Sequence, residues 1–261
     1  MNTTDEKPRM QRITITLDAF ETSSRELERA ARLAARLGAE LEGIFVEDLD
    51  LIQLAGLPFL REVRSASLAV EALNLGRLEQ ELRVLARRAE RTLAEHANRH
   101  GAAWSFRVWR GSIERDLLAA TLDADVLAMA RLGAMLAPRS AAHADRPGIA
   151  VLFSGSEAAM RALTTATDLA ADPEIPLNVL LPGKDEIVTE QLRKQAEALL
   201  GEQAQTTHFM RLFNVGLPDL VQALADSNSA ILVLEREHEF LQTSSLRHCL
   251  TTLACTLLVV R

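Results

Sequence analysis

Two hydrophobic periods alternate along this chain. Short, nearly continuous apolar runs at residues 13–18, 41–46 and 125–130 read as buried parallel strands, and residues 104–109 alternate in polarity as a further strand. Between them the period lengthens. Leu27, Ala30, Ala31, Ala34 and Leu37 fall on one face of a helix over 25–37, which Gly38 ends. Leu68, Leu75, Leu78, Leu82, Leu85, Ala89 and Leu93 recur at helical steps and predict one long amphipathic helix over 67–100. Gly111-Ser112 opens a third helix to about residue 122. The segment 47–63 is apolar but carries Gly56 and Pro58, which oppose a clean helix.

The same plan then repeats. Residues 149–154, 177–181, 207–213, 230–235 and 256–260 predict five strands, and 157–171, 186–200, 218–226 and 244–254 predict the helices between them. Pro218 suits a first helical turn. The reading is therefore a lead-in of residues 1–11, expected to be disordered, followed by a first α/β unit at 12–146 and a second at 147–261. The second unit has five strands and the first only four, because 131–147 has room for a turn and a short helix alone. An unpaired edge must be covered. Either a strand of the other half or a second chain is expected to do this.

Composition narrows the function. The 261 residues are 48% hydrophobic, 25% charged and 4% aromatic, a globular balance that favours helices packed on a modest sheet. Net charge is −7 and no basic run stands clear of acidic neighbours, which argues against nucleic-acid binding. Without an apolar leader or a span-length apolar stretch, a cytoplasmic protein with no membrane insertion is expected. Cys249 and Cys255 do not make a CxxC pair and read as buried free thiols.

Candidate chemistry is sparse. His96 and His100 stand at metal-ligand spacing, yet no acid or cysteine completes a set, so a solvated C-terminal turn favoured by the helix dipole is expected and no metal. Phe153-Ser154-Gly155-Ser156 misses the GxSxG nucleophile pattern. The apolar stretch containing Leu54, Leu57 and Phe59 reads as a lid or interface over the strand ends, with a docking patch or a cover for an apolar ligand as the other reading.

Taken in order, several segments resemble the universal stress protein family in its tandem form. They are the first strand ending at Asp18; Arg110-Gly111-Ser112 with Ala124-Asp125-Val126-Leu127-Ala128-Met129; Leu54-Ala55-Gly56-Leu57-Pro58-Phe59; and the closing Leu253-Ala254-Cys255-Thr256-Leu257-Leu258-Val259-Val260-Arg261. The resemblance covers nearly the whole chain. It implies two units of the adenine nucleotide alpha hydrolase-like type, each a parallel sheet of order 3-2-1-4-5 with helices on both faces, the first lacking its own fifth strand.

In nucleotide-binding members of that family, a glycine loop after strand four (Gly-x2-Gly-x9-Gly-Ser/Thr) lets backbone N–H groups approach phosphate. Here Ala130 and Gly133 stand at the first two positions, while His143 and Ala144 stand where Gly-Ser is wanted. The second copy offers Glu235, Glu237 and Glu239, and Ser154 replaces the family's acidic residue. Asp18, Val46, Gly111, Ala130 and Gly133 are thus the candidate ligand residues of the first unit. The resemblance implies a non-enzymatic, cytoplasmic stress-response protein that binds a protein partner or small ligand, forms a homodimer, and needs no cofactor. The alternative is a nucleotide-responsive switch that binds ATP or AMP in the first unit only, and a low ATPase activity is the weaker third reading.

Overall fold

The computed structural model describes residues 12–17, 24–55, 61–63, 70–72, 75–112, 115–129, 148–171, 174–238, 240–241, 246–253 and 255–261. Its strands are β1 (Arg12–Leu17), β2 (Glu40–Asp48), β3 (Arg61–Val63), β4 (Val70–Ala72), β5 (Trp104–Gly111), β6 (Val126–Met129), β7 (Gly148–Leu152), β8 (Leu177–Pro182), β9 (His208–Leu212), β10 (Ser229–Glu235) and β11 (Thr256–Val260). Its α-helices are α1 (Ser24–Leu37), α2 (Leu49–Ala55), α3 (Leu75–His100), α4 (Leu117–Ala120), α5 (Glu157–Leu169), α6 (Glu186–Leu200), α7 (Leu217–Asp226) and α8 (Leu246–Thr252).

A single nine-stranded sheet runs through both halves in the order β5-β2-β1-β6-β11-β10-β7-β8-β9, and β3 and β4 pair separately as an antiparallel ladder. Counted within the second half, the order is 3-2-1-4-5. The first half shows 3-2-1-4 and then meets β11. That strand pairs parallel with β10 and antiparallel with β6, Leu257 to Val260 lying opposite Met129 to Val126. The bare edge of β6 is therefore covered from within the chain. Every other pairing in the sheet is parallel, so the antiparallel seam turns the two halves end for end.

Both sheet faces are buried, which is why the strands read as continuous apolar runs. Along β6, Val126 and Ala128 face one cluster, while Leu127 and Met129 face the other. The first cluster includes residues of α1, α3, α5 and α6, the second residues of α4, α7 and α8. In α3, Leu78, Leu82, Leu85, Ala86, Ala89, Leu93 and Ala97 pack on the sheet side, so the amphipathic stripe belongs to this core.

Four local expectations change. The long helix begins at Leu75, not near residue 67, because Val70 to Ala72 pair with Arg61 to Val63 as a strand. The segment 47–63 holds the helix α2, which ends before Gly56. Of the helix expected from Ser112, the described residues show Leu117–Ala120; Ser112 is buried and its N–H donates to Asp116 Oδ2 at 3.1 Å. His96 is 5% exposed rather than solvated, and among the described residues no group of His, Cys, Asp or Glu could hold a metal ion. Both cysteines are buried and neither is in a disulfide, and among the described residues no helix is long and apolar enough to cross a membrane.

Arginines lock the seam. Arg236, just after β10, donates from Nη1 to Leu118 O and from Nη2 to Thr121 O, both at 2.8 Å. It thereby caps the carbonyl end of α4 in the other half. Burial lowers the pKa of this guanidinium, the positive charge of Arg261 lowers it further, and Asp123 opposes the shift. Arg261 donates its N–H to Asp125 O at 3.0 Å and its Nη1 to Leu122 O at 3.3 Å.

Two outcomes follow from the seam. Deleting residues 256–261 bares β6 and β10 together, so urea unfolding and limited proteolysis should show both halves failing in one step. Arg236→Met should cost about 2 kcal/mol in urea unfolding, since it leaves two carbonyls without their charged donor.

Candidate functional site

In an open parallel sheet, ligands bind outside the carboxyl ends of the strands where successive connections diverge. The strand order creates two such points, one between β1 and β6 and one between β7 and β10. Because the seam is antiparallel, they open on opposite edges of the sheet.

At the second point, the turn after β7 and the end of β10 are both described, and they meet. After β7 the backbone turns through Ser154, Gly155 and Ser156 into α5. Gly155 has φ +83°, and a Cβ there would lie 2.6 Å from Leu192 Cδ2, so only glycine fits this turn without strain. The turn aims two hydroxyls at Glu235, the last residue of β10. Ser154 Oγ donates to Glu235 Oε1 at 2.7 Å, and Ser156 Oγ donates to Oε2. Ser156 also accepts from Ala159 N at 2.9 Å and so caps α5. Glu235 is only 6% exposed. Its carboxylate thus lies beside the positive end of a helix, where an anion is favoured.

Of the three acids that the second copy offers, one takes part in this contact. Glu235 is an internal ligand of the turn, Glu237 is exposed, and Glu239 lies outside the described residues. Ser154, at the end of β7, thus has a carboxylate of the adjacent strand β10 beside it.

At the first point, Asp18, Ala130 and Gly133 lie outside the described residues, as do Leu57 and Phe59 of the expected lid. Leu54 belongs to α2. Val46 and Gly111 lie near the carboxyl ends of the neighbouring strands β2 and β5, where Val46 is opposite Trp109 and Gly111 opposite Asp48. Gly111 has a packing reason to be glycine. A Cβ there would come 2.3 Å from Cζ2 of Trp109, whose indole lies against the backbone.

A polar tether beside Gly111 escaped the sequence reading. Asp50 of α2 accepts from Ser112 Oγ at 2.8 Å and from Arg115 Nη2 at 3.2 Å, while its own N–H donates to Asp48 Oδ1 at 3.1 Å. One residue back along the same two strands, Arg110 pairs with buried Glu47 at 2.7 Å. Buried Glu42 accepts from Thr14 and Arg107, each at 2.9 Å, which joins β1, β2 and β5. The available signal was four acids in β2, Glu40, Glu42, Glu47 and Asp48, and two arginines in β5. Only the strand register pairs them.

Glu235 gives a measurable outcome. Glu235→Ala leaves two inward hydroxyls without their acceptor and should lower stability by about 2 kcal/mol in urea unfolding. Glu235→Gln keeps an acceptor and should lose about half as much.

No protein-family model matches the chain, and no curated protein matches it in sequence. Solved structures do match in shape. A universal stress protein from Archaeoglobus fulgidus aligns over 95% of this chain and 96% of its own at a TM-score of 0.53, with 11% identity. A protein from Pseudomonas aeruginosa, provisionally designated a universal stress protein, aligns over 96% of this chain and 93% of its own at a TM-score of 0.50, with 12% identity. The alignments span nearly the full length of all three chains, over the mostly parallel sheet and its flanking helices. The chain carries the universal stress protein fold.

Proposed function

We propose that the protein works by binding rather than catalysis, as a cytoplasmic stress-response protein of the universal stress type, and that its second half takes no nucleotide. The observation that carries this reading is Glu235, held by Ser154 and Ser156 at the start of α5. A phosphate seeking that helix end would meet a fixed carboxylate. Two like unit charges about 4 Å apart repel by about 4 kcal/mol at the effective dielectric of a protein surface. The hydroxyls that could greet the phosphate already donate to Glu235. Phosphoryl transfer also depends on positioned donors around the transferring group, and an internal carboxylate is the reverse of such a site. The stress association rests on the universal stress proteins that share the fold. A protein partner and a homodimer complete the proposal.

Native mass spectrometry of the purified chain, before and after addition of ATP and magnesium, tests it. The expected spectrum shows dimer without adenine nucleotide in either condition. One nucleotide per chain, lost on Asp18→Ala and retained on Glu235→Gly, would replace this reading with a nucleotide-responsive switch in the first half. Two nucleotides per chain would overturn the account of the second half as well.

A further inference from the structure

A groove opens on the sheet face that carries α1 and α5, where α1 meets the second half. Its floor and far wall are apolar, formed by Leu33 of α1, Ile149 at the start of β7, Ile231 of β10, Leu169 at the end of α5 and Ile175 beyond it. Leu33, Ile149 and Ile231 are buried. The near wall is cationic. Arg29, Arg32 and Arg36 come from successive turns of α1, and about 10 Å of helix separates the first from the last. Room of about 100 Å³ lies between the two walls.

The charge on this wall is weakly compensated. Arg32 has Glu28 at 3.6 Å in an exposed pair, and neither Arg29 nor Arg36 has an ion-pair partner among the described residues. In a chain of net charge −7, three arginines around an apolar floor are a local reversal of sign. Guanidinium groups match the planar geometry of a carboxylate and hold it with paired N–H donors. A polyanion would use the arginines and ignore the floor, and a neutral hydrocarbon would use the floor and ignore the arginines. A carboxylate with a short hydrocarbon tail uses both.

We propose that this groove binds a medium-chain fatty carboxylate, its head between the arginines of α1 and its tail on Ile149, Leu169, Ile175 and Ile231. None of the lining residues belongs to the two strand-end crevices, so the inference stands whether or not the first half takes nucleotide.

Calorimetric titration of the full chain with sodium octanoate at low ionic strength tests it, with octanol, acetate and inorganic phosphate as comparators. One saturable octanoate site is expected, with each comparator binding at least about tenfold more weakly. Arg32→Gln combined with Arg36→Gln should weaken octanoate about tenfold and leave octanol unchanged. Ile175→Asp should abolish octanoate binding, and circular dichroism melts of both variants should show them folded. Absence of saturable octanoate heat overturns the proposal, as does unchanged affinity in the arginine variant. Phosphate binding as tight as octanoate would reduce the groove to an anion patch and overturn it too.

Discussion

The backbone hydrogen bonding of β11 on both of its edges is the constraint on which the architecture depends. Thr256–Val260 completes the second half by running parallel to β10 and closes the first half by running antiparallel to β6. One strand thus does for two halves what two strands would otherwise do. Its side chains alternate accordingly, Leu258 and Val260 into one core cluster and Leu257 and Val259 into the other. A strand used in this way must be apolar on both faces and free of proline, and this one is. The antiparallel seam also sends the two strand-end crevices to opposite edges of the sheet.

At one of those edges the chain sets its own carboxylate beside the start of a helix. A helix start after a parallel strand offers N–H groups and a favourable dipole to any negative charge that reaches it. Here Ser156 caps the helix and, with Ser154, donates to Glu235. The glycine at 155 is needed to bring both serines round, and it serves an internal contact rather than the approach of a ligand. Gly111 teaches the same lesson beside the other crevice, since the indole of Trp109 takes the space a side chain would need. A glycine at a motif position is evidence of a close approach, and the structure must say by what.

Much of the architecture was legible in the residues themselves. Periodicity placed the strands of the nine-stranded sheet and the helices α1, α5, α6 and α7 to within a few positions, because burial on two faces or one stripe leaves a pattern that does not depend on distant partners. The deficit of one strand in the first half was countable. Less legible were the short elements. Val70 to Ala72 became a strand because Arg61 to Val63 lay beside it, and α4 kept a single turn whose end Arg236 caps from the other half.

What the sequence determined by itself was the alternating α/β plan of both halves and the need for a cover on the edge of β6. The tertiary structure alone decided what supplies that cover, where the charge of Glu235 goes, which acids of β2 meet which arginines of β5, and that three arginines of α1 face isoleucines more than a hundred residues away. The division has one physical cause. Local periodicity records whether a residue is buried, whereas pairing and register record against what, and that depends on segments distant in the chain.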